Sequence, residues 1–245
     1  MTAVLPHGPV SAVLTDIEGT TSAIAFVKET LFPYAEARLD AFLDAQEGEP
    51  EVAAALAAAA RAAAPGEPVR AALRRWMAED AKVAPLKTLQ GMIWRQGYLD
   101  GEIQGHLWPD VAPCLRAWAR AGILLNVYSS GSVAAQKLLF AHSVAGDLMP
   151  LLNGLFDTAV GGKREAASYA AIAQRLQMPP GEILFLSDVA EELDAAATAG
   201  FATCQLVRPR DGTRPSGRHA EAPDFPGVAG LFGLPVPRHL TGEAA

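Results

Sequence analysis

Runs of apolar residues separate the chain into a sheet-forming part and a helical part. An apolar run within residues 10–15 predicts a buried strand, and comparable runs return only at Ile123–Tyr128 and Ile183–Leu186. Between the first two runs, residues 24–105 have the pattern of successive helices rich in Ala, Leu and Arg. Strands then alternate with helices through Val207, which is typical of a parallel sheet covered by helices. The sequence therefore predicts an α/β fold, with a Rossmann-like parallel sheet and an inserted all-helical segment.

The helical segment interrupts the sheet domain directly after its first strand. We place the sheet-containing catalytic core at residues 1–23 and 106–245, and a helical cap domain at residues 24–105. An insertion at the end of a strand can close over a ligand bound there and exclude water. The predicted helices of this segment are Val27–Leu43, Glu51–Ala64, Val69–Glu79 and Pro85–Gln96.

The first predicted strand ends in two acidic residues, Asp16 and Glu18, before Gly19. Open α/β sheets bind their ligands at the carboxyl ends of parallel strands. A carboxylate there can attack phosphorus and form an aspartyl-phosphate. A second acid can protonate the leaving oxygen and then activate water. An acidic strand end before an ordinary turn is an equally good interpretation of this segment taken alone.

The second predicted strand and the loop after it carry groups suited to phosphate. Ser129 and Ser130 end the strand, and a helix is predicted at Val133–Ala141. Hydroxyl and backbone N–H groups at a helix start can bind an anion, although a serine there commonly caps the helix. Lys163 follows Gly161-Gly162 and can reach a phosphate as a point charge, although a loop lysine is commonly only solvated.

A third strand ends in Asp188, with Glu191 and Glu192 just beyond it. The two glutamates are either outer supports of a metal site or acids that favour a helix start. Asp16, Glu18 and Asp188 together supply the oxygen ligands that Mg²⁺ prefers. The ordered set of nucleophile, acid/base, phosphate ligands and metal ligands predicts hydrolysis of a phosphate ester.

These segments resemble the four motifs of the haloacid dehalogenase superfamily, and most closely its methionine-salvage enolase-phosphatase (acireductone synthase) family. Glu18 favours that family, since most phosphatases of the superfamily have Asp at this position. The resemblance extends from about Val10 to Arg208, and Gln104 stands where bacterial relatives often have Lys. The segments that carry it include Asp16-Ile17-Glu18-Gly19-Thr20-Thr21, Tyr128-Ser129-Ser130-Gly131-Ser132, Gly161-Gly162-Lys163 and Ser187-Asp188-Val189-Ala190-Glu191-Glu192-Leu193-Asp194.

The resemblance implies a bifunctional enzyme with one Mg²⁺ per chain. It would enolise 2,3-diketo-5-methylthiopentyl-1-phosphate and then release phosphate and the acireductone 1,2-dihydroxy-3-keto-5-methylthiopentene through an aspartyl-phosphate. Phe26, Trp94, Tyr98 and His106 could line an apolar pocket for the methylthio group or simply belong to the core. The implied roles are Asp16 as nucleophile and metal ligand, Glu18 as acid/base and metal ligand, Asp188 as metal ligand, and Ser129, Ser130 and Lys163 as substrate ligands.

Other functions stay open at this point. A generic sugar-phosphate phosphatase would share every motif except the Glu18 and cap signatures, and a haloacid dehalogenase would need no metal pair of Glu18 and Asp188. A non-catalytic binding module is a third alternative. The net charge of −7 argues against nucleic acid or an anionic membrane as partner. Two cysteines, Cys114 and Cys204, are expected to be buried free thiols, and we expect a cytoplasmic monomer without a signal peptide or membrane span.

Overall fold

A six-stranded sheet organises the computed structural model, which describes residues 9–237 and residue 240. Every neighbouring pair of strands is parallel, and the order across the sheet is β3-β2-β1-β4-β5-β6. The predicted parallel α/β fold is therefore confirmed. The strands are β1 Ala12–Thr15, β2 Leu124–Tyr128, β3 Leu152–Phe156, β4 Ile183–Ser187, β5 Ala202–Leu206 and β6 Ala220–Ala222.

β1 lies in the middle of the sheet because its four residues can be buried on both faces. Thr15 is paired with Val127 of β2 on one side and with Leu186 of β4 on the other. The chain order proceeds outward from β1 to β3 and, on the other side, from β4 to β6. Ligand sites form at the carboxyl ends of strands where this order switches. Asp16 and Asp188 directly follow β1 and β4 at that switch point.

Helices flank the sheet and also form the inserted segment. The side chains of Tyr128, Tyr169, Phe185 and Phe201 pack in one buried cluster of the sheet-containing part. This cluster fixes the ends of β2 and β4 that carry the predicted site residues. The helices are α1 Ile24–Phe26, α2 Phe32–Gln46, α3 Pro50–Ala62, α4 Val69–Ala78, α5 Ala84–Leu99, α6 Val111–Arg120, α7 Val133–Ala141, α8 Ala166–Leu176, α9 Ala190–Thr198 and α10 Phe225–Phe232.

Contacts within the chain divide it into two units. The sheet unit comprises the residues up to Ile24 and those from Gly105 onward, and the helical unit comprises Ala25–Gln104. The helical unit has its own apolar core, in which Leu39, Leu73 and Leu89 are fully or almost fully buried. Each domain boundary predicted from the sequence differs from this division by one residue. That the helical unit acts as a cap stays a prediction.

Most predicted elements are present, with differences at three places. The predicted helix Val27–Leu43 begins as a π-helical turn, Val27–Leu31, and continues as α2. β3 was not predicted, because its residues form no apolar run comparable to those of β1, β2 and β4. β6 and α10 follow Arg208, where we made no prediction, because a three-residue strand has no recognisable alternation. Cys114 and Cys204 are buried and free, as predicted. Among the residues that the structure describes, no helix combines the length and apolar character needed to cross a membrane.

Candidate active site

Asp16 begins a tight turn that is held by backbone hydrogen bonds. Its N–H donates to the carbonyl oxygen of Leu186 at 2.8 Å, so the residue is still anchored to β4. The carbonyl oxygen of Ile17 accepts hydrogen bonds from the N–H groups of Thr21 and Ser22 at 2.9 and 2.8 Å. The turn therefore presents the Asp16 carboxylate at the end of β1 from a fixed backbone.

Gly19 allows this turn to approach Asp188. Its φ of +76° lies in the left-handed region, which residues with a Cβ atom rarely adopt. A Cβ atom built on Gly19 would lie 2.4 Å from Oδ2 of Asp188 and therefore clash with it. Both the backbone conformation and the close approach require glycine at this position.

Lys163 lies between two carboxylates. Its Nζ is 2.7 Å from Oδ1 of Asp16 and 2.7 Å from Oε2 of Glu192. The lysine side chain is only 9% exposed, so this arrangement contradicts the alternative of a solvated loop lysine. Burial alone would lower the pKa of Lys163, but the charges of Asp16 and Glu192 outweigh it and raise that pKa. The ammonium is therefore charged and close to Asp16.

Glu191 and Glu192, which the sequence could not tell apart, have different environments. Oε2 of Glu192 accepts a hydrogen bond from the Ser187 hydroxyl at 2.9 Å, in addition to its contact with Lys163. Burial and the charge of Asp16 raise the pKa of Glu192, although Lys163 opposes this. Glu191 is exposed and forms an ion pair with Arg218 at 3.3 Å. Only Glu192 belongs to the buried charge cluster.

Asp188 has the character of a cation ligand. Its Oδ1 atom is buried and has no hydrogen-bond partner within the protein. Burial, together with the charge of Asp16, raises the pKa of Asp188 to about 7. A buried carboxylate oxygen without a partner, next to a second carboxylate, is a favourable position for a hard divalent cation.

Side chains alone do not complete such a site. Among residues 9–237 and 240, no three His, Cys, Asp or Glu side chains converge as a metal-binding group. The carboxylates of Asp16 and Asp188 would therefore need oxygen ligands from the backbone, a phosphate or water, which Mg²⁺ accepts readily.

The serines after β2 divide into a helix cap and two residues of the pocket. Ser132 caps α7, because its hydroxyl oxygen accepts a hydrogen bond from the N–H of Ala135 at 3.3 Å. Ser129 is buried, and its hydroxyl oxygen accepts a hydrogen bond from the N–H of Gly131 at 3.1 Å. Ser130 is exposed. The capping interpretation thus applies to Ser132 and leaves Ser129 and Ser130 as candidate ligands.

A cavity of about 190 Å³ in the sheet unit brings all the predicted site residues together. It also contains Glu192, which the sequence analysis left without a definite role. The side chains lining it include those of Asp16, Glu18, Ser129, Ser130, Lys163, Asp188 and Glu192.

The predicted pocket aromatics have mixed positions. In the helical unit, Phe26 and Tyr98 are buried, and the indole N–H of Trp94 donates to the carbonyl oxygen of Leu31 at 2.7 Å. In the sheet unit, Nδ1 of His106 accepts a hydrogen bond from the N–H of Ala23 at 3.1 Å. These contacts favour the alternative that the four residues support the fold.

Comparison with known proteins agrees with this geometry. The model of the haloacid dehalogenase-like hydrolase family matches residues 10–200. "Enolase-phosphatase E1" of Granulibacter bethesdensis is 56% identical over 230 residues, which cover 94% of this chain and 99% of that protein. The chain belongs to the enolase-phosphatase family of haloacid dehalogenase-like hydrolases.

A second enolase-phosphatase and one solved structure extend the match. "Enolase-phosphatase E1" of Acidiphilium cryptum is 54% identical over 225 residues, which cover 92% of this chain and 97% of that protein. The crystal structure of the UTR4 protein of Saccharomyces cerevisiae is 35% identical, with a TM-score of 0.75, and the match covers 88% of this chain and 98% of that one. The enolase-phosphatase match therefore includes both the sheet unit and the helical unit.

A buried ion pair supports the turn after β1 in this enolase-phosphatase family member, and it was not predicted from the sequence. Nη1 and Nη2 of Arg208 each lie 2.9 Å from an oxygen of Asp110, and Nη2 also donates to the carbonyl oxygen of Thr20 at 3.0 Å. The Arg208 guanidinium lies 5.4 Å from the centre of the Trp108 ring. The resemblance to the family extends as far as Arg208 in the sequence, but it does not identify a partner for this residue.

Proposed function

We propose that this protein converts 2,3-diketo-5-methylthiopentyl-1-phosphate into 1,2-dihydroxy-3-keto-5-methylthiopentene and phosphate in methionine salvage. The observation that carries the proposal is the Asp16 carboxylate, held 2.7 Å from a buried lysine at the sheet's switch point. The near full-length similarity to proteins named enolase-phosphatase supports this substrate over others.

Asp16 is the nucleophile in this proposal. A carboxylate oxygen of Asp16 attacks phosphorus, and the bond between phosphorus and the substrate's ester oxygen breaks. Glu18 gives its proton to that oxygen. Glu18 then takes a proton from water, whose oxygen attacks phosphorus and frees the Asp16 carboxylate. The sum of the two steps is hydrolysis of a phosphate monoester.

Substrate binding depends on Lys163, Ser129 and Ser130. The Lys163 ammonium offsets negative charge next to Asp16, where an anionic phosphate must approach an anionic nucleophile. The two serines offer hydroxyl and backbone N–H groups to the phosphate oxygens. Glu192 also holds the lysine, because its Oε2 atom lies 2.7 Å from Nζ.

One Mg²⁺ per chain fits the same pocket. The carboxylates of Asp16 and Asp188 would hold it, as the unpartnered Oδ1 atom of Asp188 suggests. Glu18, which lines the same cavity, would contribute a further oxygen ligand. When bound, the cation would supply positive charge for the phosphate and for a substrate carbonyl oxygen during enolisation. Cytoplasmic location and a monomeric state remain predictions.

A substrate screen tests the proposal. The purified protein would be assayed for phosphate release from the diketone phosphate and from a set of sugar phosphates, with and without Mg²⁺. Enolisation would be followed separately by ultraviolet absorbance under anaerobic conditions. We expect both steps with the diketone, and we expect chelation to stop both. Equal kcat/KM values for sugar phosphates would favour a generic phosphatase instead, and normal enolisation by the metal-free protein would contradict a shared metal site.

A further inference from the structure

In the loop that carries Lys163, three successive carbonyl groups each accept a hydrogen bond from a hydroxyl of another part of the sheet unit. The Tyr128 hydroxyl donates to the carbonyl oxygen of Gly161 at 2.9 Å. The Ser168 hydroxyl donates to that of Gly162 at 2.8 Å. The Tyr169 hydroxyl donates to that of Lys163 itself at 2.6 Å. Three successive carbonyl groups are therefore fixed.

The three donors are rigid. Tyr128, Ser168 and Tyr169 are each at most 1% exposed. The two tyrosine rings meet edge to face, with their centres 5.6 Å apart, on β2 and α8. Burial raises the pKa of Tyr169, so its hydroxyl keeps its proton and remains a donor at physiological pH.

Two glycines allow the loop to pack closely, Gly161 against the Ser168 hydroxyl and Gly162 against Glu165. A Cβ atom on Gly161 would lie 2.2 Å from the hydroxyl oxygen of Ser168, and Gly161 has a φ of +137°. A Cβ atom on Gly162 would lie 2.8 Å from Oε1 of Glu165. The Gly-Gly-Lys sequence thus places a flexible side chain on a backbone with little freedom.

We propose that Tyr128, Ser168 and Tyr169 are positioning residues for Lys163. By fixing its backbone, they fix the root of a long side chain whose ammonium must lie between Asp16 and Glu192. An ammonium displaced by even 1 Å would contact the phosphate less well. The proposal rests on the proposed function, because it assumes that Lys163 binds the phosphate.

Single substitutions that remove only the hydroxyl test this role. Tyr128→Phe, Ser168→Ala and Tyr169→Phe would each be made in the wild-type chain and in Lys163→Ala. The matched controls are Tyr34→Phe, which loses a hydrogen bond to Oε2 of Glu102, and Ser143→Ala, which loses one to the carbonyl oxygen of Gly146. The measurements are kcat/KM for a phosphate ester that the protein hydrolyses, and calorimetric affinity for inorganic phosphate with Mg²⁺.

We expect each hydroxyl loss to lower kcat/KM by roughly three- to tenfold when Lys163 is present, and by less than about twofold in Lys163→Ala. The affinity for inorganic phosphate should likewise fall only when Lys163 is present. This measurement can be made even for a variant that has no measurable turnover. The two controls should match wild type in both measurements, and circular dichroism should confirm that every variant is folded.

Equal losses in both backgrounds would overturn the proposal, because the hydroxyls would then act on the fold alone. Unchanged turnover and phosphate affinity in all three variants would overturn it as well. A wild-type protein that binds phosphate through Lys163 but ignores the diketone would refute the proposed substrate, and this inference would survive.

Discussion

Removing the charge of Asp110 should lower the free energy of unfolding strongly, although Asp110 is not one of the acidic residues that line the cavity. Asp110→Asn keeps the shape of the side chain but leaves the Arg208 guanidinium, whose side chain is 6% exposed, without its counter-charge. Asp110 also accepts a hydrogen bond from the N–H of Phe225 at 2.9 Å. Breaking a buried ion pair by changing one partner typically costs about 3–5 kcal/mol, because a buried charge is left uncompensated.

Urea unfolding measures this loss, and the chain offers a matched control. Arg75 and Glu67 also form a two-point pair, through Nε and Nη2 at 2.9 and 3.0 Å, but on the surface of the helical unit. Because water screens that pair, Glu67→Gln should lower the free energy of unfolding much less. Tryptophan fluorescence and circular dichroism would follow both variants. Equal effects of the two substitutions would refute the reasoning from burial.

A double replacement separates two roles of this ion pair. One is its contribution to the stability of the protein, and the other is the hydrogen bond from Arg208 to the turn after β1. Asp110→Leu combined with Arg208→Met replaces both charges by apolar groups, which often restores much of the lost stability. The Thr20 carbonyl oxygen would still lose its guanidinium donor. We therefore expect stability to recover in part while kcat is lower than in the wild-type protein. Full recovery of kcat would show that the turn does not need Arg208.

Four further predictions concern the pocket. Asp16→Asn should abolish phosphate release, by several orders of magnitude, while circular dichroism stays unchanged, and activity within about tenfold of wild type would exclude the nucleophile role. Lys163→Ala should raise KM and lower kcat, and Lys163→Arg should rescue only partly, because a planar guanidinium does not replace a compact ammonium. Gly19→Ala should weaken Mg²⁺ binding, measured by calorimetry, since its Cβ atom would displace Asp188. Asp188→Ala should stop enolisation and phosphate release together, and retained enolisation would place the metal elsewhere.

The strand-end residues could be predicted because their signals are local. An apolar run that stops at a polar side chain marks the end of a buried parallel strand, and this rule places Asp16, Ser129 and Asp188 at the same edge of one sheet. Once the strand order is known, it follows which of these residues are neighbours in the pocket. Lys163 was predictable as a loop residue, but its burial between Asp16 and Glu192 was not.

Other features depend on contacts that no local pattern contains. Glu191 and Glu192 are neighbours in the sequence, and only the rotation of α9 decides that Glu192 faces the buried cluster. Asp110 and Arg208 are 98 residues apart, and neither has a neighbour that identifies the other. Which of the serines after β2 caps α7 is decided only by the hydrogen bond from the N–H of Ala135 to the Ser132 hydroxyl.

The central place of β1 has a consequence for the order in which a newly made chain can become active. Val13 pairs with Leu125 and with Leu184, so the strand leading to Asp16 finds its first neighbour more than a hundred residues later and its second later still. Closing such long loops is entropically costly and makes pairing slow. On a ribosome, which adds residues from the N-terminus onward, the strand made first waits longest for its neighbours. Asp16, the proposed nucleophile, is therefore synthesised before both of the strands that hold it in its working position.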